Sequence, residues 1–140
     1  MEYLEPLAEL FLQADFMAES DGSEWLVKAV ENSLLAVGAF DESGALVGFA
    51  RVLGDGVSDC YIQDVTVSTR CRHQGIGRQL MQFVLDELKS RNIDWVGLIA
   101  TPGKEAFYRQ LGFEVMSDHT PMLLALDSDK KNSDKITLTT

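Results

Sequence analysis

Two glycines separate a strand-like run from an amphipathic helix, and this junction is the strongest constraint on how the chain can fold. Residues 60–67 mix β-branched and aromatic side chains with partial alternation, which predicts a mostly buried strand. Apolar residues then recur at helical spacing over residues 76–91, so one face of a helix there should be buried. Gly75 and Gly77 lie where that helix begins. Because residues 95–100 form a further short apolar run, we expect them to lie parallel to 60–67 after a right-handed crossover.

The same junction is suited to bind an anion. The start of a helix carries unpaired backbone N–H groups and the positive end of the helix dipole, and glycines let a phosphate come close to them. Arg72, His73 and Arg78 place positive charge there in a chain of net charge -10. Leu80 occupies the position of the third glycine of a dinucleotide fingerprint, which disfavours a classical NAD site. On spacing alone, a tight solvated turn competes with an anion site.

Two motifs in the right order resemble the GNAT N-acetyltransferase superfamily. RHQGIG, at residues 72–77, matches the pattern Gln/Arg-x-x-Gly-x-Gly/Ala, and FYRQLGF, at residues 107–113, matches Phe-Tyr-x-x-x-Gly-Phe. The likeness runs from about Leu34 to Leu126. It implies an α/β fold (an α+β mixed sheet) whose central sheet is mostly antiparallel, with one parallel strand pair that splays apart and with flanking helices.

The resemblance also implies an activity, which is direct transfer of an acetyl group from acetyl-CoA to a primary amine. The chain would then be an acetyl-CoA-dependent N-acetyltransferase, an acyltransferase that uses no metal. In this family pattern the backbone N–H of Val65 stabilises the oxyanion, and Tyr108 protonates the departing CoA sulfur. The positions that the resemblance assigns to the cofactor are Val65, Thr66, Val67, Arg72, His73, Gln74, Gly75, Ile76, Gly77, Arg78 and Tyr108.

Three positions depart from the family pattern. Gln63 stands where several members have a glutamate that acts as the base, and Thr101 stands where asparagine often helps to position the cofactor. Asp64 is the next acid, but strand alternation predicts that its side chain faces away from that of Gln63. A helix pattern begins at residue 6, where the family usually starts with a strand, so that strand is absent or comes from a partner chain. A homodimer therefore stays open.

The acceptor is predicted from the segment between the first two helices, which commonly lines the acceptor pocket in this superfamily. Acidic and aromatic side chains interleave there, which suits a small cationic amine, while an ordinary acidic surface is the competing interpretation. A protein or peptide amine is an alternative substrate. A non-catalytic acyl-CoA-binding module and a nucleotide-binding regulator are alternative functions. The side chains in question are Asp15, Phe16, Met17, Glu19, Asp21, Glu24 and Trp25.

Length and composition bound these predictions. The chain has 140 residues, 46% of them hydrophobic, which predicts one domain over residues 1–126 followed by a polar, disordered tail at 127–140. Ten acids against one base within residues 1–50 argue against a nucleic-acid partner. Two cysteines without metal-site spacing and a start that lacks a signal-peptide pattern favour the cytoplasm. The longest apolar run is far short of the roughly 20 residues that span a bilayer, so no membrane segment is expected.

Hydrophobic periodicity and turn residues predict the remaining elements. Strands 34–40 and 45–53 should form an antiparallel meander with 60–67, because turn residues separate them. Residues 95–100 should be a buried strand. The predicted helices besides 76–91 are 6–17, 24–32 and 104–111, and the predicted final strands are 113–116 and 122–126.

Overall fold

The computed structural model describes residues 1–126, and its centre is a four-stranded sheet in the order β1-β2-β3-β4. The first three strands are antiparallel neighbours, and the fourth runs parallel to the third. The predicted meander and the predicted parallel pair are therefore confirmed. The predicted tail, 127–140, lies outside the described residues. The strands are β1 (Leu35–Phe40), β2 (Leu46–Gly54), β3 (Asp59–Val67) and β4 (Trp95–Gly97), and the α-helices are α1 (Leu4–Gln13), α2 (Trp25–Glu31), α3 (Ile76–Ser90) and α4 (Glu105–Gln110).

The sheet separates two hydrophobic clusters. Phe49 and Ala50 are consecutive in β2 and point to opposite faces, so each belongs to a different cluster. Helix α3 covers the Ala50 face, whereas α1 and α2 cover the Phe49 face. The long glycine-initiated helix thus anchors the strand-to-helix junction to the sheet. The buried residues of α3 are Leu80, Met81, Val84 and Leu88, and those of α1 and α2 are Leu7, Leu10, Phe11 and Leu26.

The burial of α3 yields a stability prediction. Leu88 is 1% exposed in the Ala50-face cluster, whereas Phe83 is 54% exposed on the same helix. We expect Leu88→Ala to lower the free energy of unfolding by about 2 to 5 kcal/mol, because it removes buried methyl groups and leaves a cavity. Phe83→Ala, the control, should cost less than about 1 kcal/mol. Urea unfolding of both variants measures this, and equal losses would contradict the packing of α3.

The predicted final strands at 113–116 and 122–126 are wrong. The structure has neither helix nor strand after α4 within the described residues, and although Phe113 is partly buried, the large side chains from Val115 onward are exposed. Met122 is 88% exposed and Leu123 is 91% exposed. A strand needs a neighbour to satisfy its backbone, and among residues 1–126 the only ladder partner of β4 is β3.

Strand β4 is also shorter and more exposed than predicted. It ends at Gly97 rather than at Ala100, and the side chain of Trp95 is 46% exposed. The reason is its position, because β4 lies at the edge of the sheet. An apolar run of this length therefore need not be covered on both faces.

The turn that joins β2 to β3 depends on one carboxylate. Asp55 accepts hydrogen bonds from the backbone N–H groups of Val57, Ser58 and Asp59 at 2.8, 2.9 and 3.2 Å. These bonds, led by that of Ser58, lower the pKa of Asp55 to about 2. The carboxylate therefore stabilises the native turn above the unfolded pKa of 3.8, and this contribution disappears as the pH falls through about 2.

We expect Asp55→Asn to lower stability at neutral pH, because a neutral amide accepts these bonds less strongly than a carboxylate. The difference between the wild type and the variant should shrink as the pH falls from about 4 to about 2. Unfolding by urea at a series of pH values measures it. A difference that stayed constant with pH would mean that the charge of Asp55 does not matter.

Candidate active site

Strands β3 and β4 separate after a short paired stretch. They pair only from Asp59 opposite Trp95 to Tyr61 opposite Gly97. Beyond this point a cavity of about 200 Å³ opens between the two chain segments. The splayed parallel pair implied by the sequence is therefore present. The cavity is lined by Phe16, Tyr61, Ile62, Gln63, Asp64, Val65, Leu98, Ile99, Thr101 and Tyr108.

A β-bulge interrupts β3 beside this cavity. Arg51 pairs with Gln63 and Phe49 pairs with Thr66, so Ala50 alone faces the two residues between them. Asp64, the first of these two, has a positive φ of 58°, which is uncommon for a residue other than glycine. Val65 follows it directly. The structure thus puts Val65 at the irregular point of the strand, where the resemblance had placed it.

The side chain of Asp64 does not point in the direction that strand alternation predicts, because of the bulge. This side chain bonds to Arg51, the residue that pairs with Gln63, so Asp64 and Gln63 share a face where the positive φ breaks the alternation of the strand. Its carboxylate oxygen Oδ2 lies 2.5 Å from Nε of Arg51, on β2. Asp64 is therefore engaged in an ion pair with Arg51. No pattern in the sequence predicts this pair.

The glycine loop presents a row of backbone donors. Within the described part of the chain, no backbone N–H of residues 72–78 donates a hydrogen bond. His73 and Gly75 have positive φ values of 64° and 80°, which turn the chain into α3. A Cβ at Gly75 would meet nothing within 4 Å, so open space adjoins these donors. The loop therefore has the free donors and the room that an anion needs.

Side-chain charge at the loop is exposed. The residues Arg72, His73 and Arg78 are all exposed, and Nε of Arg72 lies 3.4 Å from the carbonyl oxygen of Val67. Ile76 and Gly77 are partly buried, and Phe107 of α4 lies close to the α-carbon of Gly77. The two sequence motifs therefore meet in the tertiary structure, where α4 packs beside the start of α3.

Tyr108 reaches the cavity from α4. Its ring contacts those of Phe107 and Phe113 at centroid distances of 5.0 and 5.9 Å, which hold it edge-on between them. Its hydroxyl makes no hydrogen bond with any other residue between 1 and 126. Burial raises the pKa of this phenol, so the group stays protonated across the neutral range. A protonated, unpaired hydroxyl in the cavity can donate a proton.

The predicted acidic lining is wrong in its details. Of the segment between α1 and α2, Phe16 alone lines the cavity, whereas the four acids do not. Asp21 accepts a hydrogen bond from the N–H of Ala18, and Trp25 packs against the ring of Phe11. The missed lining residues Tyr61, Leu98 and Ile99 are apolar or aromatic, so the cavity is less charged than expected.

Three further findings concern the described residues as a whole. No group of three or more His, Cys, Asp or Glu side chains that could hold a metal ion occurs in residues 1–126. Over the same residues, each helix is too short or too polar to cross a membrane. A larger cavity of about 320 Å³ lies between α1 and the turn after β1, but it contains none of the predicted site residues.

A split mixed sheet beside a glycine-rich helix start defines the acetyltransferase class of α/β folds. The chain belongs to the GNAT acetyltransferase domain family, whose sequence model matches residues 15–122. A GNAT-family acetyltransferase from Streptococcus pneumoniae TIGR4 is 33% identical with a TM-score of 0.71, and the match covers 89% of this chain and 92% of that one. The family resemblance and the fold class inferred from the sequence are thus confirmed.

Two curated relatives are similar over part of their length. The ycf52-like uncharacterized N-acetyltransferase of Prochlorococcus marinus is 40% identical over 89 residues, which are 61% of this chain and 49% of that protein. Serotonin N-acetyltransferase 2, chloroplastic, of Oryza sativa subsp. japonica is 34% identical over 115 residues, which are 80% of this chain and 56% of that protein. The chain therefore spans about half the length of these relatives.

Proposed function

We propose that this protein is an acetyl-CoA-dependent N-acetyltransferase that acts on a small primary amine by direct transfer. The proposal rests on three neighbouring features, two of which line one cavity while the third follows the end of β3. These are the bulge at Val65, the unpaired hydroxyl of Tyr108 and the row of free N–H donors at residues 72–78. A binding module would need the donors, but it would have no use for a partly buried proton donor in the cavity.

The residues present fit acetyl-CoA. The free N–H groups of residues 73–78 and the guanidinium groups of Arg72 and Arg78 suit a pyrophosphate, since donors at a helix start and mobile cations both favour an anion. The separated strands leave room for an extended arm between them. Val65, Thr66 and Val67 would contact that arm through their backbone, and this requires no polar side chains.

The transfer can be written with atoms and protons in balance. The nitrogen lone pair of the neutral amine attacks the thioester carbonyl carbon, and the C–N bond forms while the carbonyl oxygen takes the charge. The backbone N–H of Val65 donates to that oxygen. The C–S bond then breaks and Tyr108 gives its proton to sulfur, while the proton lost by nitrogen passes through water to the tyrosinate. The products are the amide and the free thiol of CoA.

Deprotonation of the amine is the step for which the described residues of the cavity offer no uncommitted base. Gln63 cannot take a proton, and Asp64 is engaged by Arg51. An aliphatic amine with a pKa of about 10.4 is mostly protonated at neutral pH. We therefore expect the rate to rise with pH through the neutral range, because water must remove the proton or the amine must arrive neutral.

The proposed acceptor is a small amine with an apolar or aromatic body. The cavity wall supplies Phe16, Tyr61 and Ile99 to such a body, and the net charge of -10 attracts an amine that approaches as a cation. The similarity to a plant protein named serotonin N-acetyltransferase 2 supports an arylalkylamine among the candidates. A cytoplasmic location is a further part of this proposal, which cell fractionation tests, and sedimentation decides between a monomer and a homodimer.

The test is release of CoA thiol from acetyl-CoA with a panel of arylalkylamines, polyamines, aminosugars and N-terminal peptides. We expect amine-dependent release, fastest with arylalkylamines, and little release without an acceptor. Fastest release with peptides would instead establish a peptide N-acetyltransferase. The alternative that Gln63 favours is a non-catalytic acyl-CoA-binding module, because that position lacks a base. Binding of acetyl-CoA without release across the whole panel would support this module.

A further inference from the structure

The ion pair between Arg51 and Asp64 lies beside the reacting region but takes no part in the chemistry described above. We propose that Arg51 is a positioning residue that holds Asp64 in its left-handed conformation and thereby fixes the β3 bulge. This inference rests on the proposed function, since the bulge matters because it aims the backbone of Val65. Arg51 itself touches neither of the reacting groups.

The backbone at Asp64 lies in a region that favours glycine, although aspartate tolerates it better than most residues with a Cβ. A φ of 58° is a conformation that glycine adopts freely but that a residue with a Cβ adopts rarely. Such conformations persist where the surrounding structure enforces them. The contact between Asp64 Oδ2 and Arg51 Nε, at 2.5 Å, is the one side-chain hydrogen bond that Asp64 makes within residues 1–126. Arg51 is therefore the side-chain partner that can stabilise this conformation of Asp64.

Arg51 is itself held by the neighbouring helix. Its Nη1 lies 3.4 Å from the carbonyl oxygen of Ala29 and 3.5 Å from Oγ of Ser33, at the end of α2. The Ser33 hydroxyl donates to the same carbonyl at 2.7 Å. The side chains of Arg51 and Asp64 are 14% and 17% exposed, so solvent screens their attraction only in part. The guanidinium thus connects α2 to the bulge through a mostly buried contact.

The contact between Arg51 and Asp64 controls the position of the bulge. Val65 is the residue after Asp64, so rotation about Asp64 moves the N–H that is proposed to donate to the oxyanion. Donors of this kind act only when they are aimed at the point where charge develops, and removal of one lowers kcat by about 10² to 10³. A displaced donor should therefore lower kcat more than it changes the KM for acetyl-CoA.

The decisive experiment compares Arg51→Met in two backgrounds. In the native background it should lower kcat at least tenfold, because Asp64 loses its hold. Asp64→Gly adopts a positive φ without help, and Arg51 keeps its contacts with Ala29 and Ser33, so this variant should retain a kcat within about threefold of the wild type. Arg51→Met added to Asp64→Gly should then have little further effect. A merely structural Arg51 would instead lower kcat equally in both backgrounds, which would overturn the proposal.

A second readout separates this proposal from the proposed function. Hydrogen exchange of the amides of residues 64–67 should be faster in Arg51→Met and return to the native rate in the double variant. If the wild type releases no CoA with any amine, the proposed function fails, while the exchange pattern still reports on Arg51. Unchanged exchange in Arg51→Met would overturn the positioning role whatever the activity. The pair of variants in the Asp64→Gly background keeps the test valid if Arg51→Met alone does not fold.

Discussion

Tyr108→Phe is expected to lower kcat for acetyl transfer by about 10² at neutral pH, within the range that a positioned acid or base contributes. The substitution removes the one unpaired hydroxyl that α4 brings to the cavity and leaves the ring between Phe107 and Phe113. The KM for acetyl-CoA should change by no more than a few fold. Steady-state assays of CoA thiol release at saturating amine measure both parameters.

The pH profile supplies an independent check on Tyr108. Because burial raises the pKa of its phenol, the wild-type kcat should fall only at a pH above the usual tyrosine value of about 10. That descending limb should be missing from the profile of Tyr108→Phe. Tyr3→Phe, which alters a phenol outside the cavity, is the matched control and should leave kcat unchanged. If Tyr61→Phe loses the rate instead, the acid is Tyr61 and the assignment of Tyr108 is wrong.

Gly75→Asp is expected to weaken binding of CoA at least tenfold relative to Gly75→Asn. Both side chains tolerate a positive φ better than other residues, and a Cβ at this position meets nothing within 4 Å. The two variants therefore differ mainly in one negative charge beside the proposed pyrophosphate site. Repulsion of about 1 kcal/mol per charge pair in water, acting on two phosphate charges, accounts for this expected difference. Isothermal titration of each variant with CoA measures it.

Two controls sharpen the Gly75 comparison. S-acetylpantetheine lacks the pyrophosphate, so it should bind Gly75→Asp and Gly75→Asn equally well. Added salt should narrow the difference for CoA, because it screens the exposed loop. Equal affinity of the two variants for CoA at low salt would place the pyrophosphate away from this loop.

The sequence alone was sufficient to predict elements and site residues where the pattern is local or where a motif combines several residues. Helical periodicity over α3 and the glycines before it predicted the strand-to-helix junction, because side chains on one helix face recur at fixed spacing. The turns with Asp41 and Asp55 predicted the meander, since their carboxylates accept hydrogen bonds from the backbone that follows. Tyr108 was found only through the resemblance, because a lone tyrosine has no periodicity.

The last described residues show where prediction from local sequence pattern fails. Residues 122–126 have the apolar composition of a strand, yet they pair with no strand in the structure. Strand formation depends on a neighbouring strand, and composition does not show whether one is available. The acidic segment after α1 shows the same limit. Its charges are abundant in sequence, but only Phe16 of this segment lines the cavity.

By itself the sequence determined the mixed sheet, the helix that begins at the glycines and the family to which the chain belongs. Each of these follows from neighbouring residues or from motifs in fixed order. Only the tertiary structure decided that Asp64 turns toward Gln63, that Arg51 holds it, and that the cavity wall is largely aromatic and apolar. The physical reason is that these features depend on register. A single extra residue in β3 changes which side chains share a face, and the pairing of β2 with β3 sets where that residue falls.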